Sequence, residues 1–384
     1  MSKKKGMANL ENIIYFDHAA TTSPLQEVVS IYNDALKSSF YNPASAHQAG
    51  TFVSRELENA RNDILKAFGL NNYSLVFTSG ASEANNLALK GFARRYQKRG
   101  RHIITSSFEH PSVTNTLKAL ENEGFEVTYL STPNGQINLE ELEKAVRPDT
   151  ILVSIMAVNN EVGFIQDIKN ISKIVRGKGI KLHIDAVQAV GKIPFNYNDA
   201  DLITVSMHKI GGLKSSGLLL YKKGIELVPQ IDGGGQESGI RSGTNDVPMA
   251  LASSYAVKYA LSHQKESYEY CLNLVKPLYE YLQEHIDLYE VNSTIDNPFI
   301  VNFSFKNKKA SVFVEALSSR GSMVASKSAC SSRLDKGSVT LLALGKSSQL
   351  ANNATRLSFS TSNTRAEINR FIETLEQLVK ELRA

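Results

Sequence analysis

The sequence predicts an α/β protein with a large domain on a mainly parallel sheet and a smaller α+β domain. Before Met249, short β-rich runs alternate with helical stretches, the pattern of βαβ units whose sheet is covered by helices on both faces. After Met249 that alternation gives way to a long helical tract, scattered strands and a closing amphipathic helix. A chain of 384 residues, 42% of them hydrophobic, has material for two cores at about 100–200 residues per domain.

In chain order, "LVFTSG" predicts a strand leading into the helix "ASEANNLALKGFARRYQ", and "RHIITS" one leading into "HPSVTNTLKALENEG". "FEVTYL" is a further strand, "TILVSIMAV" precedes the helix "DIKNISKIVRGKG", and "KLHIDAV" and "DLITVSM" follow as strands. The tract "ALASSYAVKYALSHQKESYEYCLNLVKPLYEYLQEH" reads as helical, "FIVNFSF" as a strand and "RAEINRFIETLEQLVKELRA" as the closing helix. No internal repeat or low-complexity linker interrupts this order.

Composition removes several function classes. The two cysteines, Cys271 and Cys330, lie too far apart for a disulfide framework, and no Cys/His spacing matches a structural zinc site, so no metal is expected. The basic start "MSKKKGMANLENIIYFD" is not followed by an apolar stretch, and no later run reaches the ~20 apolar residues of a membrane span. The expectation is a cytoplasmic protein that does not enter the membrane. A net charge of +5 is mild for this length and does not call for nucleic acid. The cluster Arg94, Arg95, Lys98, Arg99 and Arg101 reads as a solvated helix end closed by Gly100.

Polar residues gather where strands should end, which is where open α/β sheets bind ligands. "KLHIDAVQAVGK" places Asp185 at a strand end with Gln188 a turn later, and "VSMHKIGG" groups Ser206, His208 and Lys209 before two glycines. "FTSGASEANN" supplies a strand, a turn and a helix start, whose free N–H groups suit an anion. Singly, Asp185 reads as a helix cap, Lys209 as a surface lysine and "TSGAS" as a capped turn. Together they meet the needs of pyridoxal phosphate: an amine, a carboxylate for the ring nitrogen and a phosphate cradle. Lys209 is the amine placed at that strand end. A second oddity is "SKSACSSRLDKG", which puts Cys330 among serines with no apolar pocket, a setting that points to reactivity. Cys271, among Tyr268, Leu272 and Val275, reads as buried and structural.

The motifs "YFDHAATT", "TSGASEANNLALKG", "SSFEHPSV", "VNNEVG", "HIDAVQAVGK", "SMHK", "GGGQESGIRSGT", "KSACSS" and "ATRLSFS" occur in an order and spacing similar to the cysteine desulfurases of the NifS/IscS type. These are class-V aminotransferase family members, fold-type I enzymes that use pyridoxal 5'-phosphate. The resemblance implies a large cofactor-binding domain over residues 17–258, and a small domain from 1–16 and 259–384 carrying the catalytic cysteine loop. It further implies that Lys209 carries the cofactor on its amine, Asp185 pairs with the pyridinium nitrogen and His110 stacks on the ring. Gln188 touches the phenolic oxygen, Asn160 lies beside the ring, and Ala81, Ser82, Ser206 and His208 hold the phosphate. Thr244 reaches the phosphate of the neighbouring subunit's cofactor, which makes the protein a homodimer. Arg356 clamps the substrate carboxylate through two parallel hydrogen bonds, which a lysine cannot make.

In the same way, the resemblance makes Cys330 the nucleophile that takes sulfur from L-cysteine, leaving L-alanine and a persulfide for a sulfur-acceptor protein. An iron–sulfur cluster scaffold, a tRNA-thiolating enzyme and a cofactor-biosynthesis protein all suit that persulfide, and the sequence leaves the three open. Selenocysteine cleavage, transamination and a cofactor-binding protein without turnover are the competing readings. Cys330 speaks against transamination, which uses no thiol. The distance from Cys330 to Arg356 is the long spacing of the IscS-like subgroup. Met207, the segment "KIGGLKSSG" and Lys327 depart from the family's usual residues.

Overall fold

The computed structural model describes residues 13–306, 309–326 and 337–383. They divide into two compact units: one of residues 21–160 and 164–266, the other of the described residues within 1–20, 161–163 and 267–384.

The larger unit is built on a seven-stranded sheet. Across it run Tyr73–Thr78, Gly217–Lys222, Leu202–Ser206, Lys181–Asp185, Thr150–Met156, His102–Ser106 and Glu126–Leu130. All run parallel except Gly217–Lys222, which is antiparallel to both neighbours. Every residue of His102–Ser106, Thr150–Met156 and Leu202–Ser206 is buried, because helices cover both faces. The reversed strand follows from chain length. The connection from Ser206 to Gly217 holds no crossover helix, and a parallel return needs one.

Two helices not foreseen from the sequence, Gln26–Ser38 and Gln48–Ala67, pack against Val247–Ser262. Val53, Leu57 and Ala60 meet Val247 and Ala250, while Val28 meets Ala252 and Ala256. Helix Val247–Ser262 is buried along much of its length, which explains why its sequence is apolar without a clear stripe. The long helical tract is broken at His263, whose ring stacks on Tyr259 at 4.1 Å, and resumes as Gln264–Glu284.

The basic cluster is engaged within the chain. Arg94 forks onto Glu123, Arg95 pairs with Glu226, and Arg99 and Arg101 each lie 5.1 Å over the rings of Tyr96 and Phe125.

The smaller unit holds a three-stranded antiparallel sheet of Tyr289–Val291, Ile300–Phe305 and Ala354–Ser358, and a short parallel pair, Ile14–Tyr15 with Ser322–Met323. Helix Arg365–Arg383 buries Ile368, Phe371, Leu375 and Leu378, a 3-4-3 spacing that keeps one face on the core. Cys271 is fully buried on helix Gln264–Glu284. Among the described residues, no helix is long and apolar enough to cross a membrane.

Candidate active site

The parallel strands of the larger unit end at one sheet edge, so topology gathers polar residues that are distant in sequence. Asp185 closes its strand and is 5% exposed. Its Oδ2 accepts from Asn85 Nδ2 at 2.9 Å and its Oδ1 from the Val187 N–H at 3.1 Å. Both oxygens are thereby oriented, and a buried carboxylate of this kind calls for a positive partner.

His110 caps helix Pro111–Asn122. Its Nδ1 accepts from the Ser112 N–H at 3.1 Å, with Ser112 Oγ 2.8 Å from the same nitrogen. Burial pushes the ring's pKa below the ordinary imidazole value; the Asp185 charge opposes that shift and Lys209 adds to it. Glu109, next in the chain, is buried and ties this turn to the neighbouring strand by accepting from Ser106 Oγ and the Met156 N–H. Burial raises its pKa to about 8.

The turn expected to hold an anion lies where strand Tyr73–Thr78 leads into the helix that starts at Ala81. Gly80 adopts φ +150°, and Gly217 lies so close that a Cβ there would sit 2.9 Å from the Ala81 nitrogen. Only a residue without a side chain leaves that turn open. Ala81 is half-buried and Ser82 exposed at the helix start. Glu83 anchors the turn by accepting from the Ser79 N–H at 2.7 Å and by pairing with Arg241 at 2.8 Å.

Ser206 closes strand Leu202–Ser206, and the single turn Met207–Lys209 follows. Lys209 is half-buried at its end, and its charge acts on both His110 and His208. His208 is pushed down to about 4, first by burial and then by Lys209, Lys214 and Lys192. The turn is laced to the early segment "HAATT". Thr22 donates its N–H and hydroxyl to the His208 carbonyl at 2.8 and 3.0 Å and accepts from the Gly211 N–H at 2.9 Å. Met207 is fully buried, and a Cβ at Gly212 would come within 2.7 Å of the Met207 Cβ, so the missing side chain at 212 makes room for it.

Gln188 is buried one turn beyond Asp185 and accepts from Lys192 Nζ at 3.1 Å. Lys192 thereby brings a second amine close to Gln188. Of the two asparagines in "VNNEVG", Asn159 is buried and donates to the Phe108 carbonyl at 3.1 Å, while Asn160 is half-buried.

Thr244 is exposed on a glycine-rich loop. That loop is held by Glu237, which keeps a left-handed φ of +50° while its carboxylate accepts from Arg61 at 2.9 and 3.1 Å, the Phe77 N–H at 3.0 Å and Asn245. So many partners over-determine a strained backbone. Arg61→Ala, which leaves the Glu237 charge buried, is expected to cost about 3 kcal/mol. Melting should fall by roughly 5–10 °C. Circular dichroism reads this, and unchanged melting would mean Phe77 and Asn245 suffice.

In the smaller unit, Arg356 is 2% exposed and its Nη2 donates to Asp17 Oδ1 at 2.6 Å. Cys330 and Lys327 lie outside the described residues. Sequence reasoning missed Asn85, Ser112, Thr22, Lys192 and Asp17, all polar residues at the motifs it quoted. Their only signal was polarity beside an apolar run.

These residues fit pyridoxal phosphate. Asp185 offers the oriented carboxylate, Lys209 an amine, and the Gly80–Ala81 turn an open, N–H-lined cradle that a Cβ at 217 would fill.

Comparison with known proteins agrees. The aminotransferase class-V family model matches residues 14–371. Cysteine desulfurase IscS of Pectobacterium carotovorum is 40% identical over 380 residues, covering 96% of this chain and 93% of the relative. The protein of the same name from Buchnera aphidicola is 39% identical over the same shares. Among solved structures, a NifS-like protein superposes with TM-score 0.89 at 34% identity, covering 96% of this chain and 99% of its own. A structure described as SspA in complex with cysteine gives TM-score 0.76 at 32% identity, covering 91% and 99%. A sheet edge whose residues fit pyridoxal phosphate and a family match over nearly the whole length lead to one conclusion: the chain belongs to the class-V aminotransferase family, among the pyridoxal-phosphate-dependent cysteine desulfurases of the NifS/IscS type.

Proposed function

We propose that this protein is an L-cysteine desulfurase that converts L-cysteine to L-alanine and passes the sulfur, as a persulfide on Cys330, to an acceptor protein. The observation that carries the reading is the set Asp185, His110, Lys209 and the Gly80–Ala81 turn at one sheet edge, in a chain similar throughout to proteins named cysteine desulfurase. A relative described in complex with cysteine supports the substrate class.

Bound at Asp185 and Lys209, pyridoxal phosphate supplies an electron sink for charge developing on the substrate. The chain's own residues do the rest. Ala81, Ser82, Ser206 and His208 would hold the phosphate, Gln188 would hold the phenolic oxygen, and Asn160 would contact the ring. The Arg356 guanidinium binds the substrate carboxylate, and His110 moves protons at the reacting carbon and sulfur. The Cys330 thiolate attacks the substrate sulfur. An S–S bond forms, the C–S bond breaks with its electron pair left on carbon, and that carbon gains a proton. L-cysteine and one thiol give L-alanine and one persulfide, so no oxidant is consumed.

The acceptor is a scaffold for iron–sulfur cluster assembly or a tRNA-thiolation enzyme, and the protein works in the reducing cytoplasm. Thr244, exposed on its anchored loop, completes the phosphate site of a second subunit, so the working unit is a homodimer. Dilution to monomers is expected to weaken cofactor retention by mass action. A fully active monomer in sedimentation coupled to assay would contradict the dimer. Equal amounts of alanine and sulfide from L-cysteine with a thiol reductant test the reaction itself; absence of both overturns it.

A further inference from the structure

The amide of Asn85 joins two groups of the candidate active site that are remote in sequence. Asn85 is 0% exposed, and its Nδ2 donates to Asp185 Oδ2 at 2.9 Å and to Ser112 Oγ at 2.8 Å. Turning the amide over would set Oδ1 against an Asp185 carboxylate oxygen, acceptor against acceptor, so the Asp185 contact decides which end is nitrogen. Both amide hydrogens are then committed. Ser112 Oγ, already accepting from Asn85, keeps one hydrogen to donate, and His110 Nδ1 is 2.8 Å away. The same nitrogen accepts from the Ser112 N–H at 3.1 Å. A ring nitrogen that receives two donors carries no proton, which places the imidazole hydrogen on Nε2.

We infer that Asn85 and Ser112 are positioning residues that link the Asp185 carboxylate to His110, keeping Nδ1 a hydrogen-bond acceptor and leaving Nε2 as the nitrogen that exchanges protons with substrate. The inference rests on the proposed function for His110's part in proton transfer. Hydrogen bonds to the neutral ring disfavour the charged form, so the link acts in the same direction as burial. Of the groups around the ring, Asp185 favours the imidazolium and Lys209 opposes it, while burial raises the pKa of adjacent Glu109.

The test reads the His110 ring nitrogens by 15N–1H correlation spectra of the cofactor-bearing protein, with His110→Gln identifying the signals. Wild type is expected to show Nδ1 bare and Nε2 protonated at neutral pH. Ser112→Ala removes one donor to Nδ1 and should raise the ring's protonation midpoint by roughly 0.5–1 pH unit, the worth of one hydrogen bond. Ser112→Thr, which keeps the hydroxyl, should restore it. Asn85→Leu should raise the midpoint in the same direction; should it fail to fold, Ser112→Ala, which leaves the Asn85–Asp185 bond in place, decides alone. A wild-type ring protonated on Nδ1, or an unchanged midpoint in Ser112→Ala, overturns the link. These spectra do not depend on turnover. A protein that releases no sulfide yet shows the stated ring behaviour would sink the proposed function, and with it His110's part in proton transfer, while the positioning of the ring by Asn85 and Ser112 would stand.

Discussion

Lys209→Ala is expected to purify without covalently attached pyridoxal phosphate and to lose turnover of L-cysteine by a factor on the order of 10³ or more, as for removal of a covalent catalyst. The lysine ends the single turn after strand Leu202–Ser206, and that turn is fixed from outside by Thr22, so the amine is delivered by rigid neighbours. Borohydride reduction of the wild type followed by peptide mapping identifies the modified residue. The informative competitor is Lys192, whose amine is buried against Gln188. Recovery of the pyridoxyl group on Lys192 or Lys214 would overturn the assignment.

Cys330→Ser should separate substrate binding from sulfur transfer. L-cysteine should still change the cofactor's absorbance, since the binding roles proposed for Asp185, Lys209 and Arg356 need no thiol. Alanine and sulfide should both fall by a factor on the order of 10³ or more, because a serine hydroxyl is a far weaker nucleophile at neutral pH and cannot hold a persulfide. Cys271→Ser is the control. That thiol is 0% exposed, so its replacement should cost about 1–3 kcal/mol for a buried hydroxyl and leave turnover near wild type at equal cofactor occupancy. Wild-type turnover in Cys330→Ser would remove Cys330 from the chemistry, and loss of turnover in a folded Cys271→Ser would point to a relay between the thiols.

Much of the larger unit was legible because its central strands are buried on both faces and so announce themselves as β-rich runs. "RHIITS" and "DLITVSM" became the strands His102–Ser106 and Leu202–Ser206. Gly217–Lys222 went unread although "GLLLYK" is as apolar as its neighbours, because its reversed direction depends on the short connection before it. Helices Gln26–Ser38 and Gln48–Ala67 were missed for a different reason. Each buries only a few small or medium side chains, so its stripe is diluted by polar residues. The break at His263 was invisible in a tract whose residues on both sides favour helix.

By itself the sequence determined which groups point to the chemistry: a lysine, a carboxylate and a strand-to-helix turn at strand ends, and a cysteine among serines. Those are local signals, readable from a few neighbouring residues. Only the tertiary structure decided how those groups are held. Asn85 reaches Ser112 across 27 positions and Asp185 across 100, Arg61 reaches Glu237 across 176, and Arg356 reaches Asp17 across 339. Pairings of that span leave no periodic trace, because the partners meet only after the sheet and its covering helices have packed. Burial then makes each unpaired polar atom costly enough that the fold supplies its partner.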